Sequence, residues 1–178
     1  MQQMVITVVG DDRAGLVEAL AAEVAAVDGN WERSRMAELG GQFAGMVLVR
    51  VPEGQADQLG ERLAALHADG VLHVSVRPAD DPAGVATTTT TAARWQLRLV
   101  GQDQPGIVHR VSRTLAAEGI SVAELETEVV PAPMGGLLFQ AEADLAVPAS
   151  VPLDEVRAAL EALSPDLMVD LDPVDQPG

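Results

Sequence analysis

Lysine, cysteine and tyrosine are absent from this chain of 178 residues, so all 11 basic side chains are arginines. Without lysine there is no Walker A phosphate cradle, no Schiff base and no pyridoxal site. Without cysteine there is no thiol nucleophile, no iron–sulfur cluster, no disulfide and no cysteine-containing zinc site. The binding chemistry that remains is that of backbone amides and short polar side chains.

Positive charge is also scarce, since the chain has 27 acidic side chains and 11 arginines, which gives a net charge of −16. Affinity for nucleic acid comes largely from cations that neutralise phosphates, so we expect no direct nucleic-acid partner. Anionic membranes are disfavoured for the same reason. No run of about 20 apolar residues predicts a membrane span. The segment Met1 to Val9 lacks the basic region of a signal peptide. We expect a soluble, cytoplasmic protein.

The chain contains an internal repeat, which fixes the domain organisation that we predict. The segment Val9 to Val17, VGDDRAGLV, recurs as Val100 to Val108, VGQDQPGIV, with five identical positions in register. Between the copies, residues 78–93 are rich in helix and strand breakers and in threonine, and they have no apolar periodicity. We predict two domains, at residues 1–77 and 94–172. A linker is predicted at residues 78–93 and a flexible tail at residues 173–178.

Both copies predict the same order of elements. In the first copy the elements are a strand at Met4–Val9, a helix with Leu16, Leu20 and Val24, strands at Asn30–Leu39 and Gln42–Val51, a helix with Leu59, Leu63 and Leu66, and a strand at Val71–Val76. The turn Gly40-Gly41 suits a tight hairpin. Asp12 and Asp103 stand where helix N-caps are expected, and Pro105 suits a first helical turn.

The order strand-helix-strand-strand-helix-strand, found twice, predicts an α+β fold. Each copy is expected to form a ferredoxin-like βαββαβ unit, in which two helices cover one face of an antiparallel sheet. In the second copy Gln140, Glu142 and Asp144 alternate with apolar residues, so its uncovered face is expected to contact water. In the first copy Met46 and Leu48 make both faces apolar. We therefore expect a homo-oligomer or a partner contact through the first repeat, with cover by helix ends or the linker as the alternative.

Trp31, Arg33 and Arg35 alternate along one predicted strand, so we expect all three to face the same side. Tryptophan and arginine are enriched at protein-binding hot spots, so this face is a candidate contact for a partner protein. The alternative places Trp31 in the core, with the two arginines reaching acidic neighbours. The three histidines lack metal-ligand spacing, and we expect no metal site.

The loop between the first strand and the first helix has the character of an anion site. Free backbone N–H groups and the positive end of a helix dipole suit a carboxylate. Gly15 allows a ligand to approach the backbone closely. Asn30 can donate to a carboxylate and accept from an ammonium group, and Asp11 or Asp12 can pair with the ammonium. The alternative is that Asp12 is only a helix cap and the glycine only completes a turn.

The candidate ligand-binding residues follow from this loop and its repeat. In the first copy they are Gly10, Asp11, Asp12, Arg13, Ala14, Gly15, Leu16 and Asn30. In the second copy they are Asp103, Pro105, Gly106, Ile107 and Ser121. Ser121 replaces Asn30, and Gln102 and Gln104 replace Asp11 and Arg13, so the two loops are expected to differ in ligand binding.

The same residues resemble a known family. The strand ending at Gly10, the pattern Gly-x-Asp-x-x-Gly-Leu-Val and the triplet at Gly29-Asn30-Trp31 resemble the ACT domain, a regulatory module that binds small molecules. The resemblance covers both halves of the chain. The string from Gly29 to Gly45, including Ser-Arg-Met-Ala and Gly-Gln-Phe-Ala-Gly, is similar to the glycine cleavage system transcriptional repressor group.

This resemblance implies a non-enzymatic regulator that needs no cofactor. Its expected ligand is a small amino acid, glycine or serine, and its expected output is contact with a partner protein such as a transcriptional activator. ACT ligands typically sit where two units meet side by side, so a second unit is expected to complete the pocket.

Two other functions stay open at this point. One is a constitutive interaction module whose ligand sites are vestigial. The other is an acylphosphatase-like hydrolase, an enzyme of the same fold in which Arg13 would bind phosphate and Asn30 would orient water. Against the hydrolase, the loop lacks the glycine-rich string of those enzymes, and Asp11 and Asp12 would repel the substrate.

Overall fold

The computed structural model describes residues 1–68, 72–79, 92–133 and 135–174. The chain divides into two compact units, Met1–Val85 and Ala86–Gly178. Residues 80–91 of the expected linker and 175–178 of the expected tail lie outside the described residues, as does Val71 of an expected strand.

Unit 1 has the predicted order of elements. They are β1 (Gln2–Asp11), α1 (Leu16–Ala25), β2 (Asn30–Leu39), β3 (Gln42–Val51), α2 (Ala56–Ala68) and β4 (His73–Pro78). The sheet is antiparallel, with the strand order β2-β3-β1-β4. β1 extends past its predicted bounds because its polar ends, Gln2 and Asp11, still pair with Val51 and Gln42 of β3.

Unit 2 repeats this architecture. Its elements are β5 (Ala93–Gln102), α3 (Ile107–Ala117), β6 (Ser121–Pro131), β7 (Leu137–Val147), α4 (Leu153–Glu161) and β8 (Met168–Pro173). The strand order β6-β7-β5-β8 matches that of unit 1. The predicted α+β fold with two ferredoxin-like antiparallel units is therefore confirmed. No described helix is long and apolar enough to cross a membrane.

Each core lies between one face of a sheet and its two helices. In unit 1, Ile6, Val8 and Val47 of the sheet are fully buried against Leu20 of α1 and Leu63 of α2. The burial alternates along β1 and β3, as period-two side-chain geometry requires. We call the opposite side of each sheet its outer face.

The two outer faces differ as predicted. In unit 2, Gln140 and Glu142 are exposed on the outer face of β7, while their neighbours Phe139 and Ala141 are buried under the helices. In unit 1, Val9 and Met46 are 44% and 55% exposed on the outer face. The outer face of unit 1 is thus apolar and open at its centre, whereas that of unit 2 is polar.

A β-bulge changes the direction of the β2 side chains. Trp31 pairs with the buried Val49, but Arg33 pairs with Leu48, which points to the outer face. The register shift between Trp31 and Arg33 adds one residue to β2 and so reverses the alternation. The prediction that Trp31, Arg33 and Arg35 share a face is therefore wrong. Trp31 packs against the core, whereas the two arginines lie on the outer face.

We predict that Gly45→Ala destabilises unit 1 by roughly 1–3 kcal/mol, the usual cost of overpacking. A Cβ on Gly45 would lie 2.6 Å from Cγ of Met36 and 3.0 Å from the backbone oxygen of Arg35. Urea unfolding of a Trp95→Phe background, in which Trp31 is the only fluorophore, measures this change. In the control Gly60→Ala, the new Cβ meets nothing within 4 Å in the middle of α2. That variant is expected to gain about 0.5–1 kcal/mol. Equal loss in both variants would contradict the prediction.

Candidate functional site

The loop between β1 and α1, residues 12–15, is tied at its start to the hairpin turn of β2 and β3. The N–H of Asp12 donates to the backbone oxygen of Gly41 at 2.9 Å. Nε2 of Gln42 donates to Oδ1 of Asp11 at 2.6 Å. Beyond this anchor Asp12, Arg13, Ala14 and Gly15 are exposed, as is the preceding Asp11, whereas Leu16 is buried. We call residues 12–15 loop 1; its residues are exposed to solvent.

Gly15 makes the turn from loop 1 into α1. It occupies the N-cap position in the left-handed region, with φ of 93°, and no side chain caps the helix. The first bond of the helix runs from the N–H of Ala19 to the oxygen of Gly15 at 2.9 Å. The N–H groups of Leu16, Val17 and Glu18 therefore have no intrahelical acceptor. Free N–H donors and the positive end of a helix dipole are features that suit a negative group.

The predicted helix caps are wrong in both units. The N-caps are Gly15 and Gly106, and neither helix has a side-chain cap. Asp12 and Asp103 each stand three residues before the N-cap. The cap position that a carboxylate was expected to occupy is instead occupied by a left-handed glycine. Pro105 likewise precedes the helix and does not belong to its first turn.

The equivalent loop of unit 2, residues 103–106, is closed by a side chain. The guanidinium group of Arg110 donates to the backbone oxygen of Pro105 at 3.1 Å and to Oε1 of Gln104 at 3.2 Å. Nε2 of Gln104 in turn donates to Oγ of the buried Ser164 at 3.2 Å. This segment, loop 2, is thus held by a chain of hydrogen bonds that reaches the segment after α4.

Loop 1 has no counterpart of this closure. In the register of the repeat, Arg110 corresponds to Ala19 and Gln104 corresponds to Arg13. Arg110 and Ser164 were not among the predicted site residues. Comparison of the two copies could have indicated Arg110, whereas Ser164 lies 60 residues from its partner Gln104 and gives no local signal.

Asn30 lies far from loop 1 within unit 1. Asn30 pairs with Arg50, and Arg50 pairs with Gln3 near the start of β1. Loop 1 follows Asp11 at the other end of β1, and at ~3.4 Å per residue the two positions are roughly 27 Å apart. The structure therefore brings together the predicted residues from Gly10 to Leu16 but not Asn30.

The same separation holds for other predicted pairs. Ser121 pairs with Ala146, and Ala146 pairs with Arg94 near the start of β5. Ser121 therefore lies at the opposite end of its sheet from loop 2, which follows the end of β5. Arg13 and Asn30, which an acylphosphatase-like site would need side by side, are likewise not brought together within unit 1. In the described part of the chain, no cluster of three or more histidine, aspartate or glutamate residues is arranged to hold a metal ion.

Comparison with known proteins agrees with this architecture. Residues 2–77 match the model of the ACT domain family. An unknown protein from Galdieria sulphuraria is 32% identical, with a TM-score of 0.85, over 98% of this chain and 99% of its own. A proposed glycine cleavage system transcriptional repressor has the same fold at 18% identity, with a TM-score of 0.63, over 97% of this chain and 98% of its own. None of the curated proteins matches.

These findings define an α+β protein built from two ferredoxin-like units. The chain belongs to the ACT-domain family, with two ACT folds in tandem.

We predict that Arg110→Ala destabilises unit 2 by about 1–2 kcal/mol, because the variant loses two charge-assisted hydrogen bonds and leaves Gln104 without one partner. Unfolding followed by Trp95 fluorescence in a Trp31→Phe background measures the effect on unit 2. Arg113→Ala, an exposed arginine on the same helix, is the control and is expected to stay within about 0.5 kcal/mol of the parent. If both variants behave alike, Arg110 does not hold loop 2.

Proposed function

We propose that this protein is a non-enzymatic regulator that senses a small amino acid, glycine or serine, through loop 1 and acts by contact with a partner protein. Membership of the ACT-domain family supports a sensing role. The single observation that carries the proposal is the uncapped start of α1 behind Gly15, which presents unsatisfied N–H groups on an exposed loop.

In this proposal the ligand carboxylate binds the N–H groups at the start of α1, and the ammonium group pairs with Asp11 or Asp12. Gly15 permits the close approach, since a Cβ there would point into open space above the loop. Because Asn30 lies at the other end of its own sheet, we propose that the Asn30 amide comes from the first unit of a second copy beside loop 1. A pocket shared between copies couples ligand binding to association.

Loop 2 is not proposed as an equivalent site. The Arg110 guanidinium already donates hydrogen bonds to the Pro105 oxygen and to Gln104. In addition, Ser121 stands at the position of Asn30. Each chain then binds one ligand. The residues Asp103, Pro105, Gly106 and Ile107 serve the turn into α3.

The output is proposed to be a protein contact, because a net charge of −16 opposes direct binding to DNA. The likeness in fold to a proposed glycine cleavage system transcriptional repressor supports glycine or serine as ligand and a transcriptional activator as partner. Ligand binding can shift such a contact only by its differential affinity for the two states, typically about 1–3 kcal/mol.

Isothermal titration with each amino acid tests the proposal, and we predict that glycine or serine binds once per chain. Gly15→Asp is expected to weaken binding at least tenfold, about 1.4 kcal/mol, because its carboxylate repels that of the ligand. Gly15→Asn has nearly the same size and tolerates a positive φ, so it is expected to bind more tightly than Gly15→Asp.

Gly106→Asp is the matched control in loop 2 and is expected to bind like the wild type. If no amino acid binds the wild type, or if Gly15→Asp binds as well as Gly106→Asp, the sensor function is wrong. The constitutive interaction module, favoured by the closed state of loop 2, would then be the better account.

A further inference from the structure

The outer face of unit 1 concentrates positive charge in an acidic protein. Its pairing register places these arginines on that side of the sheet: Arg33, Arg35, Arg50 and Arg77. They are four of the chain's 11 arginines. The carboxylates on this side are Asp11, which pairs with Gln42, and Glu32, whose Oε1 lies 2.7 Å from Nε of Arg50. The arginines surround an apolar centre that includes the exposed Val9 and Met46. This face is therefore basic at its edges and apolar in its middle.

The outer face of unit 2 has the opposite charge. Strands β6, β7 and β8 carry these carboxylates on the outer face: Glu124, Glu126, Glu128, Glu142, Asp144, Asp170 and Asp172. Two arginines, Arg94 and Arg98, point to the same side. Arg98 lies 3.5 Å from Glu142 and 3.7 Å from Asp172. Carboxylates therefore outnumber arginines on this face.

The charges stand at equivalent positions in the two units. Both edge strands bulge at the same place, between Trp31 and Arg33 in β2 and between Val122 and Glu124 in β6. After the bulge, Arg33 and Arg35 occupy the positions that Glu124 and Glu126 occupy in unit 2. Residues two apart on a strand are roughly 7 Å apart, so the row of arginines matches the row of glutamates in spacing.

Apolar groups are also available on the acidic face. Val100 and Met168 pair with each other across β5 and β8 on the outer side, and Met168 is 65% exposed. Next to them is a concavity of about 390 Å³, which is lined by Glu126, Glu128, Glu142 and Arg98 among others. Its carboxylates outnumber its single arginine. The face can therefore offer both carboxylates and apolar contacts to a sheet of complementary character.

We infer that the outer face of unit 1 binds the outer face of unit 2 of a second copy of this chain. The inference rests on the proposed self-association and adds a separate contact: the edges of two first units meet at loop 1 and Asn30, whereas the outer face of unit 1 meets unit 2. Two unit 1 faces would place arginines against arginines, so opposite charge favours contact between unlike faces. Two copies that exchange both contacts form a closed pair.

Sedimentation velocity tests this interface with reciprocal charge reversal. Wild-type protein is expected to associate, and more weakly as NaCl rises from 0.05 to 0.5 M, because salt screens exposed charge pairs. Arg33→Glu/Arg77→Glu and Glu126→Arg/Glu128→Arg are each expected to weaken self-association at least tenfold. An equimolar mixture of the two variants is expected to restore it, since each reversed face then meets its complement. The control Arg113→Glu reverses one exposed charge on α3, away from both outer faces, and is expected to associate like the wild type.

The possible results separate this inference from the proposed function. If wild-type protein is a monomer at every concentration, both the inference and the proposed self-association are wrong. If the wild type associates but the reversed variants associate equally well, or if mixing does not restore association, the interface is wrong while self-association stands. Circular dichroism confirms that each variant is folded. Amino-acid titration of the wild type reports on the sensor function independently.

Discussion

The two helices of each unit cover the same face of its sheet. This one-sided burial determines which residues form the core and which are left to contact water or a partner. In both units the covered face carries the buried apolar side chains that form the hydrophobic core among the described residues. An antiparallel sheet can leave its second face to water or to a partner. Unit 2 uses carboxylates on this face, whereas unit 1 combines an apolar centre with arginines. The repeat has kept the core and changed the surface.

The two loops share a backbone turn and differ in the side chains around it. A left-handed glycine starts both α1 and α3, so the turn itself is common to the two units. Around this turn the side chains differ, since Arg110 closes loop 2 while Ala19 leaves loop 1 open. The same backbone turn is therefore open to solvent in one unit and closed by a side chain in the other.

Local signals predicted the fold well, and long-range geometry accounts for what they missed. The bounds Asn30–Leu39 and Gln42–Val51 were predicted correctly because Gly40 and Gly41, with φ of 61° and 80°, determine the hairpin. The bulge after Trp31 has no clear local signature, so the direction of Arg33 was mispredicted. Asn30 was grouped with loop 1 because its amide suits a ligand. However, β1 and β2 both run antiparallel to β3 and therefore run in the same direction, which places the start of β2 and the end of β1 at opposite ends of the sheet. The Arg110 closure depends on Ser164, which is distant in sequence.

The central claim is that loop 1 binds an amino acid and loop 2 does not. Backbone amide shifts of ¹⁵N-labelled protein, followed during titration with glycine and with serine, test this most directly, because each amide reports its own loop. We expect saturable shifts for the amides of residues 13–18 and of Asn30, with those of Gln104 and of residues 106–109 unchanged. Equal shifts in both loops, shifts in loop 2 alone, or no shifts at all would contradict the account.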